Sequence, residues 1–167
     1  MQSKELSRLA TTDPLTGLLN RRELHNQAKK IIHHAARNSS IFAVLSIDLD
    51  YFKYINDTYG HQTGDTVLIN LANLLSTERR ANDLVARTGG EEFVLILADI
   101  DKDNSLMLVE KLRVAVENAS VTNINITIKI GLVVSQKDLQ VDLDSLLTLS
   151  DKALYDAKPG GLNRLPR

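Results

Sequence analysis

Three acidic side chains stand where a chain ordinarily places turn residues. Asp48 closes an almost continuous apolar run from Ile41 to Ile47, and Glu91 and Glu92 directly follow Gly89-Gly90. A domain concerned only with its own stability has little reason to end strands and turns on carboxylates. If the apolar run and the Gly-Gly turn are neighbours, a carboxylate from each converges on one spot. Converging hard oxygen ligands favour Mg²⁺, which takes one or two carboxylates and fills its other positions with water and substrate phosphates. The glycines suit the same chemistry, because they let backbone approach a bulky phosphate ester and permit the positive φ of a tight turn. On spacing alone, two solvated acidic turns account for these residues equally well.

The elements that must carry them are legible from periodicity. Asn20 followed by Glu23 reads as a capping box, and Leu24, Ala28, Ile31, Ile32 and Ala35 mark one face of the helix it opens. Ile41 to Ile47 reads as a central strand delivering Asp48 at its C-terminal edge. Asp50 to Asp57 is a short helix closed by Gly60, and a turn at His61-Gln62-Thr63-Gly64-Asp65 opens a longer helix with Val67, Leu68, Leu71, Leu74 and Leu75 inward. Leu84 to Ala86 and Phe93 to Leu97 are antiparallel strands around the Gly89-Gly90 turn. Leu106, Val109, Leu112 and Val116 repeat at helical spacing. Ile124, Ile126, Ile128 and Ile130 alternate with polar residues as a one-sided strand, and a last helix buries Leu143, Leu146, Leu147 and Leu154. The order α, β, α, α, β, β, α, β, α predicts an α+β domain: a mainly antiparallel central sheet flanked by helices packed on a face.

Composition bounds the function. The chain has 167 residues, 43% hydrophobic and 25% charged, with 20 Lys+Arg against 21 Asp+Glu and no Cys. Those values describe an ordinary soluble globular domain and exclude disulfide scaffolds, thiol nucleophiles and thiolate zinc sites. A net charge of -1 argues against a protein that coats nucleic acid, since neutralising many phosphates needs an excess of Lys and Arg. The longest apolar stretch, Phe93 to Ala98, is far shorter than the roughly 20 residues of a membrane helix. Leu6 and Leu9 recur at helical spacing before Thr11-Thr12-Asp13-Pro14 breaks the pattern. Residues 1–12 read as a helical linker from an upstream region or, equally well, as a frayed N-terminus, and 13–167 as one domain.

Arg87-Thr88-Gly89-Gly90-Glu91-Glu92-Phe93 resembles the signature of GGDEF-domain diguanylate cyclases, in their GGEEF form. Four further segments agree in order and spacing: Asp13 to Arg22, Asp48 to Asp57, Gly60 to Asp65, and Ser150 to Lys158. The resemblance implies a fold related to nucleotidyl cyclase and polymerase palm domains, and condensation of two GTP into cyclic di-GMP with loss of two pyrophosphates. Carried over position by position, it implies Asp48 and Glu91 as ligands to Mg²⁺, or Mn²⁺ in its place, with the Leu49 carbonyl as a third ligand. Glu92 would be an auxiliary catalytic carboxylate and Lys53 a phosphate-binding cation. Asn56 and Asp65 would read guanine, since a carboxylate accepts from the guanine N1-H and N2 amino group but not from adenine. Without the match, Asn56 would read as ending a helix and Asp65 as an N-cap. Gly89, Gly90, Lys158 and Phe52 complete the substrate set, although Phe52, like Phe93, has the character of a core residue.

Arg80-Ala81-Asn82-Asp83 lies where the family carries its product-inhibition motif, so Arg80 and Asp83 would bind cyclic di-GMP, with Arg79 and Arg113 as secondary contacts. Catalysis in such a family needs two GTP-loaded domains face to face. A homodimer and an upstream sensor are the implied partners, and the cytoplasm the implied location of the domain, with no membrane segment in this chain even if the full-length protein is membrane-attached. Two positions depart from the pattern. Leu162 stands where the closing motif usually has a phosphate-binding Arg, with Lys158 and Arg164 nearby, which predicts weaker triphosphate binding. Lys129 stands where a small hydroxyl residue is common before Gly131. The rival reading is a catalytically weak domain serving as a GTP or cyclic di-GMP receptor.

Overall fold

The structure is a computed structural model that describes residues 6, 10–119, 123–138 and 141–157. Leu9, Lys158, Leu162 and Arg164 lie outside the described residues. Among the described residues nine elements follow one another: α1 (Arg21–Asn38), β1 (Ala43–Leu49), α2 (Phe52–Tyr59), α3 (His61–Glu78), β2 (Leu84–Arg87), β3 (Glu92–Leu97), α4 (Lys102–Asn118), β4 (Ile128–Val134) and α5 (Leu143–Ala157). The strands form one sheet in the order β2-β3-β1-β4, with every neighbouring pair antiparallel.

Helices cover both faces of this sheet. Ala43, Leu45, Ile47 and Leu49 of β1 pack with Val67, Leu68, Leu71 and Leu75 of α3 and Val109, Leu112 and Val116 of α4. Val44, Val94 and Ile96 face the other way, onto Leu24 and Ala28 of α1 and Leu143, Leu146 and Leu147 of α5. That double burial is why β1 reads as an unbroken apolar run rather than an alternating one. The α1 start is capped as its sequence implies, with Asn20 Oδ1 accepting from the Glu23 amide at 2.9 Å.

Several element boundaries move by a few residues. The fourth strand begins at Ile128 and runs to Val134, although all four alternating isoleucines from Ile124 to Ile130 are buried. Burial of a one-sided apolar row needs only a packed segment, whereas a strand needs a partner ladder, and β1 supplies one from Leu49↔Ile128 onward. His61 to Asp65 forms the first turn of α3 rather than a preceding turn, with Gly60 (φ 93) at its N-cap. Gly131 sets the packing of α5. A Cβ there would collide with the Ser150 carbonyl and the Leu154 backbone, so only glycine lets the helix approach β4 this closely. Ser46 ties the same contact, its hydroxyl 2.7 Å from Ser150 Oγ and donating to Asp151 Oδ1 at 2.7 Å.

Candidate functional site

The pairing of β1 with β3 brings the acidic residues to one end of the ladder. Asp48 is the direct cross-strand partner of Glu92, and the next amide, that of Leu49, donates to the Glu91 carbonyl at 3.2 Å. Asp48 is half-buried, Glu91 half-buried and Glu92 exposed. Among the described residues no three His, Asp or Glu side chains gather closely enough to hold a metal by themselves. A donor set of this size fits an ion that completes its shell with phosphate oxygens and water.

The turn between β2 and β3 is held from below. Thr88 and Gly89 amides donate to the Glu92 carbonyl at 3.0 and 3.4 Å. Arg87 donates from Nε to the Gly89 and Gly90 carbonyls at 3.1 Å each, and from Nη2 to Gly90 at 2.8 Å. Neither glycine adopts positive φ, contrary to the expectation for a tight turn. A Cβ on Gly90 would meet nothing within 4 Å, leaving the backbone there open to approach, whereas one on Gly89 would crowd the Glu92 side chain.

Arg87 also reaches the opening loop, with Nη1 3.2 Å from both oxygens of Asp13. Asp13 in turn accepts from the Thr16 amide at 2.8 Å and the Thr16 hydroxyl at 2.7 Å. Burial alone would raise the Asp13 carboxyl pKa, but the Thr16 hydrogen bonds and the Arg87 guanidinium outweigh it and hold it below the usual value. Both residues lie within motifs of the sequence, but 74 positions apart, so their opposite charge was the only signal of the pairing.

A second cluster forms where α2 meets α3. Phe52 packs partly buried against the core, Lys53 is exposed on the opening turn of α2, and Asn56 is half-buried. Asn56 Oδ1 is buried and has no hydrogen-bond partner among the described residues. It lies against Gly64, where a Cβ would overlap the Asn56 amide. Asp65 follows on α3, exposed. An unsatisfied buried acceptor is costly, and a ligand donor would relieve it.

Arg80 and Asp83 form a tight pair. Arg80 donates from its amide and Nε to Asp83 Oδ2 at 2.9 Å each and from Nη2 to Oδ1 at 2.8 Å. Nη2 also donates to the Ala98 carbonyl. Ala98 returns an amide to Asp83 Oδ1 at 3.1 Å. The hydrogen bond to Asp83 raises the Arg80 pKa above its usual value, against the opposing effect of burial. The Asp83 side chain is 0% exposed and that of Arg80 47%, so Arg80 is the member that faces solvent. Beside them lies a cavity of about 370 Å³ lined by Ala81, Asn82, Ala98, Asp99 and His34 among others. Arg79 donates to the Asp83 carbonyl at 3.0 Å. Arg113 is held on α4 by Glu110 at 2.6 Å and Glu117 at 2.7 Å.

Lys129 has a partner that its sequence context did not reveal. Its Nζ lies 2.7 Å from Asp50 Oδ1, with side-chain exposures of 10% and 1%. Thr127 Oγ1 donates to the other Asp50 oxygen at 2.6 Å.

Together these features define a class of protein: an α+β domain that presents carboxylates at the end of a central antiparallel ladder, beside a helix offering a cation and a buried amide. Residues 10–164 match the family described as diguanylate cyclase, GGDEF domain. The chain belongs to that family. It is 41% identical over 165 residues to the diguanylate cyclase DgcM of Escherichia coli (strain K12), covering 97% of this chain and 39% of that protein. It is 38% identical over 161 residues to the response regulator PleD of Caulobacter vibrioides (strain NA1000 / CB15N), covering 93% of this chain and 35% of PleD. The solved coiled coil and GGDEF domain of DgcB from Caulobacter crescentus, in complex with c-di-GMP, matches with a TM-score of 0.89 at 30% identity, covering 98% of this chain and 88% of that one. The chain spans little more than a third of the length of the curated relatives it matches. Among the described residues, no helix is long and apolar enough to cross a membrane.

Proposed function

We propose that this domain condenses two GTP molecules into cyclic di-GMP, releasing two pyrophosphates. The observation that carries the reading is the β1–β3 ladder, which sets Asp48 opposite Glu92 and ties Leu49 to Glu91. In each half-reaction a ribose 3′-oxygen attacks the α-phosphorus of the other GTP, a P–O bond forms, and the bond to pyrophosphate breaks. Asp48 and Glu91, with the Leu49 carbonyl, would hold a divalent cation, Mg²⁺ first and Mn²⁺ as a substitute. Such an ion supplies charge stabilisation to the α-phosphate and leaving pyrophosphate and eases ionisation of the 3′-hydroxyl.

The remaining work falls to the chain. Lys53 binds phosphate, and the open backbone at Gly90 admits the nucleotide. Asn56 Oδ1 accepts a guanine N–H, which accounts for an acceptor otherwise buried without a partner, and Asp65 accepts a second. One domain holds half of the product, so turnover requires a homodimer with two loaded sites facing one another. Cyclic di-GMP feeds back at Arg80, whose guanidinium can fork onto a phosphate or guanine edge. Asp83, buried beneath it, holds that fork. An upstream sensor that pairs two domains in the cytoplasm would provide the input.

Incubation with GTP and Mg²⁺ over a protein concentration series tests the reading. Cyclic di-GMP should form with a steeper than linear dependence on protein, and Asp48→Ala or Glu91→Ala should abolish it. GTP binding without product would support the receptor role instead, and GDP or GMP as sole product would refute both.

A further inference from the structure

Lys129 is a cation inside the sheet, beside the carboxylate proposed to hold metal. It is 8% exposed and is the direct cross-strand partner of Asp48 on β4. Opposed residues in an antiparallel pair share a face and hold their Cβ atoms about 4.5–5.5 Å apart, a gap that the long, flexible lysine stem spans easily. Asp50 draws the ammonium to itself. Its carboxylate has independent support, because the Asp50 amide donates to the Thr127 carbonyl at 2.9 Å and the Thr127 hydroxyl donates to Oδ2 at 2.6 Å. That leaves Oδ1 for Lys129 Nζ at 2.7 Å, a charge contact without hydrogen-bond alignment.

We propose that Asp50 sequesters Lys129, drawing its ammonium to itself rather than to Asp48, and so limits competition between that ammonium and a divalent cation at Asp48. Asp50 and Lys129 are then positioning residues that set the metal requirement of the reaction. This rests on the reading of Asp48 as a metal ligand. The arrangement has a distinctive consequence. Neutralising Asp50 releases a cation whose nearest anion in the sheet register is Asp48, so the released ammonium competes with the metal.

Asp50→Asn, Lys129→Met and the double variant test this in the full chain. Mn²⁺ binding is followed by electron paramagnetic resonance with a non-hydrolysable GTP analogue present, alongside the Mg²⁺ concentration giving half-maximal GTP turnover. Asp50→Asn should weaken Mn²⁺ binding at least about tenfold, the scale of one screened charge pair about 4 Å apart. Adding Lys129→Met should restore binding to within about twofold of the parent, the usual error of additivity. A merely structural pair predicts the opposite, a double variant no better than Asp50→Asn, and that result would overturn the proposal, as would unchanged Mn²⁺ affinity in Asp50→Asn. Thr127→Val loosens Asp50 while keeping both charges. It should give a smaller loss, likewise cured by Lys129→Met, and it carries the test if Asp50→Asn does not fold. Asp48→Asn separates the two layers. Unchanged Mn²⁺ affinity there overturns the metal-ligand reading and this proposal with it, whereas lost affinity there without rescue in the double variant overturns the sequestration alone.

Discussion

Replacing Arg87 by Ala removes one side of the clamp between the opening loop and the Gly89-Gly90 turn. Arg87 and Asp13 lie 3.2 Å apart, each side chain 16% exposed, and the guanidinium also holds two turn carbonyls. An exposed pair contributes about 1 kcal/mol or less, while removing one partner of a fully buried pair costs about 3–5 kcal/mol. A pair with this limited access to water falls between, at about 2–3 kcal/mol. For a chain of this size that corresponds to a fall in Tm of roughly 5–10 °C. Acid should reveal the same contact. A carboxyl whose pKa is lowered in the native state contributes stability above its unfolded pKa, and the contribution is lost as pH falls through the native value. Arg87 is among the groups lowering Asp13, so the variant should begin acid unfolding at higher pH than the parent, and the gap between them should close well below about pH 4. Calorimetry at pH 7 and at descending pH, with Asp13→Asn and the double variant completing the cycle, measures both effects. A Tm at pH 7 within about 1 °C of the parent, or strictly additive single changes, would refute the clamp.

Gly131→Ala should destabilise by about 1–3 kcal/mol or more, seen in denaturant melts, because the added methyl meets Ser150 and Leu154 backbone rather than a movable side chain. Gly64→Ala should push the Asn56 amide aside and weaken the preference for GTP over ATP by about 1–3 kcal/mol, the scale of one hydrogen bond to a buried acceptor. Competition binding with the two nucleotides checks it, and an unaltered ratio would remove Asn56 from guanine recognition. Arg80→Lys keeps the charge and loses the planar fork, so feedback by cyclic di-GMP should weaken at least about tenfold while uninhibited turnover stays near the parent. Inhibition curves at fixed GTP would show this.

Local features were legible in the chain. Asn20 with Glu23 announced the start of α1 because a cap acts within one helical turn. The apolar run of β1 announced a central strand, and Asp48, Glu91 and Glu92 stood out as candidates for chemistry by their places at its end and after a glycine pair. Errors arose where a local pattern had more than one structural solution. The isoleucines from Ile124 are buried as a row whether or not they are paired, so periodicity could not say that β4 waits until Ile128. Gly89-Gly90 suggested positive φ, yet the turn spanning residues 88–91 closes without it.

What the sequence by itself determined is the set of elements, their order, and the motifs that mark the acidic turns and the helix carrying Lys53 and Asn56. These rest on interactions between residues a few positions apart, which any one chain displays directly. The tertiary structure alone decided the pairings across the chain: Asp13 with Arg87, Ser46 with Ser150 and Asp151, and Asp50 with Lys129. It also decided that Asp83 is buried beneath Arg80. Strand order and register select such partners, and a one-residue change of register turns every side chain to the other face of the sheet. Lys129 shows the difference most plainly, because its sequence neighbours indicate only that it lies on a strand, while its place opposite Asp48 and its bond to Asp50 follow from how β4 meets β1.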